Sequence, residues 1–173
     1  MKNFSKLCAT AVIVFTVVAC NQQPDTHDAD VAAIRAGEVQ WVKDFAAKDA
    51  DKIVSHYADD ATLMAPGEPA TSGIDPIRAM VKGMTADPAL SLQFQASKVI
   101  VAKSGDIGFT QGSYTMTMTD PQTKKVVNDH GSYVTTYRKQ PDGTWKAEVD
   151  IVTSDVPPPA PPPAPVEGKK KRK

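Results

Sequence analysis

Four long stretches in the second half of the chain set the terms for any fold. Leu90–Lys103, Ile107–Thr119, Lys125–Lys139 and Thr144–Thr153 are rich in Val, Thr, Tyr and Phe, side chains that suit a pleated, half-buried surface. The breaks between them are turn chemistry: Ser104-Gly105-Asp106, Asp120-Pro121-Gln122 and Gln140-Pro141-Asp142-Gly143. Consecutive long strands joined by turns this short are antiparallel neighbours. Gly108, Gly112 and Gly131 fall inside the strands, where they predict bulges that curve the sheet.

Helical signals precede the strands. From Asp25 to Ala47, Val31, Ala32, Ile34, Val39, Trp41, Val42 and Phe45 recur at three- and four-residue spacing, and Asp25, Thr26 and Asp28 are candidate N-caps. A short helix is expected over Asp49–Tyr57, with Asp59 and Asp60 at its end accepting from turn N–H groups. A third is expected to open with Asp75 as cap and Pro76 at its first position. Three helices, each with one apolar stripe, bury those stripes by packing on one sheet face. The expected fold class is α+β: three N-terminal helices on the concave side of a curved antiparallel sheet, with domain limits 28–155.

The chain ends carry a different message. Lys2 and Lys6 precede an uncharged run, Leu7–Ala19, shorter than the roughly 20 residues a membrane span needs and laid out like a secretory signal over 1–19. Val17-Val18-Ala19-Cys20 resembles a bacterial lipobox, which implies acylation of Cys20 and a lipidated tether over 20–27; an ordinary signal peptide that happens to carry a cysteine is the alternative. The expectation is a cell-envelope protein, lipid-anchored on the periplasmic side. Asn21 rather than Asp after the cysteine favours the outer membrane by resemblance to enterobacterial lipoproteins. At the other end, 156–173 reads as a disordered Pro-rich arm. Seven prolines between Pro157 and Pro165 predict an extended polyproline spacer, about 28 Å over nine residues. Lys169, Lys170, Lys171, Arg172 and Lys173 form its basic tip, suited to an anionic envelope surface or serving only as a solvated tail.

Lys+Arg 20 against Asp+Glu 20 gives zero net charge only because of these ends; without their seven cations the body carries −7. An acidic body argues against nucleic-acid binding. Two cysteines make no disulfide framework and no zinc spacing is present. The P-loop, dinucleotide and GxSxG signatures are absent, so no cofactor and no metal is expected. The His27-Asp28-Ala29-Asp30 cluster reads as helix-start chemistry rather than a metal site.

The element order, together with Trp41-Val-Lys-Asp-Phe-Ala-Ala-Lys-Asp-Ala-Asp51, His56-Tyr-Ala-Asp-Asp-Ala-Thr62, Pro66-Gly67, Gly73 and Gly143-Thr-Trp-Lys-Ala-Glu-Val-Asp150, resembles the nuclear transport factor 2-like superfamily. Within it, the chain is similar to the SnoaL-like group, which holds ketosteroid isomerase relatives. The resemblance covers about Val31–Ser154. It implies a cone with a pocket between helices and sheet, commonly a homodimer packed through the sheet, and no single activity. The isomerase's carboxylate base corresponds to Ala65, its oxyanion tyrosine to Trp41, and its second oxyanion donor falls near Tyr133 or Val134. None of these keeps the family's group, so steroid-type isomerisation is not expected.

The pocket candidates are Trp41, Tyr57, Met64 and Tyr137, and the catalytic candidates His130 and Asp150. Strand alternation separates His130 from Asp129. Met64, Met80, Met84, Met116 and Met118 supply adaptable apolar surface. Two readings follow. In the first, an anchored cone binds a small apolar ligand or a protein partner without catalysis. In the second, a SnoaL-like enzyme performs proton transfer of isomerase, dehydratase or cyclase type with Asp150 and His130.

Overall fold

The computed structural model describes residues 26–157. The signal segment, Cys20, the tether up to residue 25 and the arm beyond Pro157 lie outside the described residues. Among those described, no helix is long and apolar enough to cross a membrane.

Helix α1 (His27–Ala46) is followed by α2 (Ala50–Ser55), strand β1 (Tyr57–Met64), a two-residue β2 (Thr71–Ser72), α3 (Ile74–Thr85) and four long strands: β3 (Ser91–Val101), β4 (Ile107–Thr119), β5 (Val126–Lys139) and β6 (Trp145–Ser154). The sheet order is β2-β1-β6-β5-β4-β3. Strands β3 to β6 form the expected antiparallel meander. The sheet as a whole is mixed, however, because β1 pairs in parallel with β6.

Strand β1 is the element that sequence reading missed, and it relocates Asp59 and Asp60. Both are exposed strand residues, not the end of a helix. Two consecutive exposed positions break the alternation because the β1–β6 register shifts between Tyr57 and Thr62. The second helix is correspondingly shorter than expected. Asp49 caps it by accepting from the Lys52 N–H at 3.1 Å, and Tyr57 already belongs to the sheet. Helix α3 starts earlier than its Asp-Pro pair suggests. Gly73, at φ 88°, is the cap residue, a backbone conformation open to glycine, and it turns the chain from β2 into the helix.

The core lies between the helices and the concave face: Ile34, Trp41 and Phe45 from α1, Ile53 and Val54 from α2, Ile77 and Val81 from α3, each no more than 7% exposed. The buried stripe of α1 differs from its apolar pattern. Val39 is 57% exposed, while Asp30, Glu38 and Asp44 are buried. Thr26 is the cap residue of α1, and Asp30, in the first turn, accepts from Lys139 Nζ at 2.6 Å, Thr26 Oγ1 at 2.6 Å and Trp145 Nε1 at 3.3 Å. Burial alone would raise its pKa, but these donors and the Lys139 charge hold it below the ordinary carboxylate value.

Two of the three strand glycines bend the sheet by allowing close approach. A Cβ at Gly112 would sit 2.1 Å from the Gln95 carbonyl oxygen, beside the β3–β4 register shift at Ala96/Lys98. A Cβ at Gly131 would sit 1.9 Å from the Thr153 carbonyl oxygen, with no register shift at that place. Gly131 therefore marks bare backbone contact rather than a bulge.

Candidate functional site

The curved sheet and the helices enclose a cavity of about 150 Å³. Trp41 and Phe45 reach it from α1, and Met80 and Met84 from α3. Leu92 and Phe94 reach it from β3, and Tyr114 and Met116 from β4. Strand alternation supplies the rest. The odd-numbered residues Asp129, Tyr133 and Thr135 of β5 face inward, as do Asp150 and Val152 of β6, which pair with Thr135 and Tyr133. The wall is aromatic: Phe94 meets Trp41 edge-on at 5.8 Å and Tyr133 at 5.6 Å, and Trp41 meets Tyr57 edge-on at 4.9 Å. Apolar cavities of this size in other proteins take a single six-membered ring.

Asp150 is the acid within this wall. Its Oδ2 accepts from the Tyr57 hydroxyl at 2.9 Å and its Oδ1 from the Thr135 hydroxyl at 2.8 Å. Burial raises its pKa above the ordinary carboxylate value and the Glu38 charge adds to that, against the opposing pull of the two hydroxyls. Asp129, also on the wall, shifts the other way. Burial works against its charged form, but Ser154, Tyr114 at 2.6 Å and its neighbour's backbone N–H at 2.9 Å hold it low. The two carboxyls are separated by six positions along the β5 register, from Asp129 to Thr135 opposite Asp150, roughly 20 Å of strand.

Behind the wall sits Glu38, 5% exposed. Its Oε1 accepts from Thr110 at 2.6 Å and Tyr137 at 3.0 Å, and its Oε2 from Tyr133 at 3.1 Å. Burial first, and then the charges of Glu38 and Asp150, push the Tyr133 and Tyr137 hydroxyls far up. A second polar pair supports Trp41 from the side. His56 stacks on its indole at 5.0 Å and bonds Asp44 Oδ2 at 2.8 Å, while Gln40 donates to Asp44 Oδ1. Burial lowers the His56 pKa in spite of Asp44. The Trp41 N–H is the one buried side-chain polar atom without a hydrogen-bond partner among the described residues.

Of the residues singled out from sequence, Trp41, Tyr57 and Asp150 share the cavity wall. Met64 does not; it is 40% exposed on the other face of β1, while Leu63 points in. Tyr137 is buried behind the wall on Glu38. His130 lies on the exposed outer face of β5, opposite Thr115, so the structure does not bring it to Asp150. Three of the five methionines weighed from sequence, Met80, Met84 and Met116, line the cavity. Ala65 lies on the wall, and of the pair Tyr133 and Val134 it is Tyr133 that faces in. Sequence reasoning missed Glu38, although it stands four residues after Ile34 and three before Trp41, a spacing that places it on the buried stripe.

Residues 39–148 match the SnoaL-like domain family. No curated protein matches the sequence. Among solved structures, a ketosteroid isomerase-like protein from Erwinia carotovora atroseptica is similar at TM-score 0.63 and 23% identity, over 74% of this chain and 98% of that one. A candidate scytalone dehydratase from Novosphingobium aromaticivorans is similar at TM-score 0.67 and 13% identity, over 78% and 89%. A candidate dehydratase of the NTF2-like family from Streptomyces avermitilis is similar at TM-score 0.59 and 18% identity, over 75% and 98%. The matched segment is more than half of the chain, and the chain belongs to the SnoaL-like domain family.

Proposed function

We propose that this member of the SnoaL-like family is an envelope-anchored lipoprotein whose cavity binds a small, ring-sized apolar ligand without transforming it. One observation carries the binding reading: a cavity of about 150 Å³ walled by aromatic and methionine side chains, a lining that adapts to apolar guests. Ala65, Trp41 and Tyr133 at the isomerase positions argue against that chemistry. The test uses methyl NMR of the methionines during titration with single-ring compounds. Met80, Met84 and Met116 shift saturably while exposed Met64 stays put; absence of any saturable shift at the first three sinks the reading.

The anchor rests on Val17-Val18-Ala19-Cys20 behind a basic, apolar leader. Cys20→Ser is expected to release the protein to the soluble fraction, and continued membrane retention of that variant counts against the lipid. The basic tip, Lys169–Lys173, then has an anionic envelope surface within reach. A homodimer through the outer sheet face is the remaining part of the proposal. Met64, Ile151 and Val134 stand side by side across β1, β6 and β5 on that face, each 38–40% exposed, an apolar strip that a second copy would cover.

A second reading has its own support. A carboxyl with raised pKa beside a phenol, in an apolar cavity, is equipped for proton transfer at Asp150. It predicts catalysed exchange of the α-hydrogens of a bound cyclic ketone with solvent deuterium, lost in Asp150→Asn. An unchanged exchange rate in that variant removes Asp150 from any such chemistry.

A further inference from the structure

The cavity's electrostatics name the class of ligand, an inference that rests on the binding reading above. Its wall contains two carboxyls and no Lys, Arg or His. The three carboxyls in and behind the wall, Asp129, Asp150 and Glu38, take their hydrogen bonds from neutral donors. Asp129 has the Ser154 and Tyr114 hydroxyls and one backbone N–H, and Asp150 has Tyr57 and Thr135. Glu38 has Thr110, Tyr133 and Tyr137. The ion pairs among the described residues fall elsewhere, on Asp28, Asp30, Asp44, Asp49, Asp51, Asp60 and Glu148. His130, next to Asp129 in the chain, lies on the exposed outer face; its charge helps to hold the Asp129 carboxyl low without an ion pair between them.

A concave, low-dielectric site lined by one sign of charge concentrates the opposite sign. Hydrated metal ions do not suit these walls, because the oxygen ligands that hard cations need in a cluster are spread among aromatic side chains; no metal-ligating group of three stands among the described residues. Aromatic rings favour a different cation. Ring faces attract organic ammonium groups through their quadrupoles, and four rings, Trp41, Phe94, Tyr114 and Tyr133, line this wall. An anion meets no Lys, Arg or His on this wall, and the one unpartnered buried donor among the described residues is the Trp41 N–H.

We propose that the cavity selects an organic cation: an ammonium group carried on one apolar ring or a body of similar size, seated against aromatic faces and supplying the counter-charge that Asp150 lacks. The ring fills the apolar volume and the charge sets the preference. Asp129, some way along the same strand face, adds to the field without pairing with the same ammonium. Entry of a cation favours the ionised form of Asp150, whose proton leaves to solvent. Cation affinity therefore rises with pH through the range in which Asp150 titrates. The groups facing that carboxyl are Glu38 from α1, Tyr57 from β1, and Tyr133, Thr135 and Tyr137 from β5.

The experiment compares three probes built on one ring, benzylamine, benzyl alcohol and benzoate. Each is titrated into the full chain in non-ionic detergent and read at the methyl groups of Met80, Met84 and Met116. Benzylamine is expected to bind about tenfold or more tightly than benzyl alcohol, and benzoate not at all. Asp150→Asn should remove most of the amine's advantage over the alcohol and Asp129→Asn a smaller part, the ratio of amine to alcohol affinity within each variant being the readout. The wild-type comparison stands even where a variant does not fold: benzylamine affinity climbs with pH and benzyl alcohol affinity stays flat. Equal binding of amine and alcohol, or tighter binding of benzoate, overturns the cation inference and leaves the binding reading intact. Failure of all three probes to shift the methionines overturns both.

Discussion

Removing the Glu38 side chain tests the buried network directly. Glu38 accepts three hydroxyl hydrogen bonds, from Thr110 at 2.6 Å, Tyr137 at 3.0 Å and Tyr133 at 3.1 Å. Glu38→Ala leaves three donors without their acceptor, in a place where Thr110 is fully buried and the tyrosines are 5–6% exposed. An unsatisfied buried group costs about 1–3 kcal/mol. Hydroxyls rotate and water can enter the new space, so the lower end applies to each, or about 3 kcal/mol in total. Loss of one carboxyl also relieves its repulsion with Asp150, which works in the opposite direction and keeps the sum near that figure. Glu38→Gln retains an acceptor oxygen and is expected to cost about 1 kcal/mol. Urea unfolding followed by far-UV circular dichroism at neutral pH measures both. The reasoning is refuted if Glu38→Ala unfolds within about 1 kcal/mol of the parent, or if Gln and Ala are equally destabilising.

Three further outcomes are expected. Gly131→Ala places a Cβ 1.9 Å from the Thr153 carbonyl, so it should destabilise by several kcal/mol, on the order of an overpacked core; a neutral thermal melt would mean that β6 yields freely. Asp30 has a depressed pKa in the folded state, so its contribution is present above the unfolded carboxylate value and is lost as pH falls through the folded one. Lys139→Met should therefore flatten the acid limb of the stability profile below about pH 4, and an unchanged limb would show that the pair is idle. Ile151→Arg puts a charge into the exposed strip of Met64, Ile151 and Val134 and should convert a dimer to monomer in analytical ultracentrifugation. A parent that already sediments as a monomer ends the dimer proposal.

What could be read from sequence divides along physical lines. The four long strands were legible because β-branched and aromatic runs separated by Pro, Gly and Asp turns have few alternatives. Strand β1 was not. Tyr57-Ala-Asp-Asp-Ala carries two adjacent acids that resemble a helix end, and only the parallel pairing with β6 and its register shift make both of them exposed strand positions. Parallel pairing joins segments far apart in the chain, so no local pattern announces it. Trp41 and Asp150 were legible as inward positions from periodicity, whereas Tyr57 was read on a helix face and reaches the wall from β1 instead. Met64 was not, because the same register shift decides which side of β1 it occupies.

Glu38 is the more instructive miss. Apolar periodicity favours Val39, which is 57% exposed, over Glu38, which is 5% exposed, because a hydrophobicity pattern assigns a carboxyl to solvent by default. The structure reverses that with three hydroxyl donors contributed by β4 and β5, none of which a helix sequence can reveal. A core selected for stability alone would avoid such a carboxyl, since an apolar residue of similar size removes the desolvation problem at its source. Here three carboxyls, Glu38, Asp129 and Asp150, lie in and behind one wall with hydroxyl donors and, among the described residues, no ion pair to any of them. Local rules are broken together, around a cavity built by helices and strands from both halves of the chain, and such concentrated violations mark sites held for function rather than for folding. Replacing the whole buried set, Glu38→Leu with Thr110→Val, Tyr133→Phe and Tyr137→Phe, removes acceptor and donors at once and leaves none unsatisfied. In urea unfolding that variant should match or exceed the parent while its hold on benzylamine weakens, whereas a network kept for stability would make it the less stable of the two.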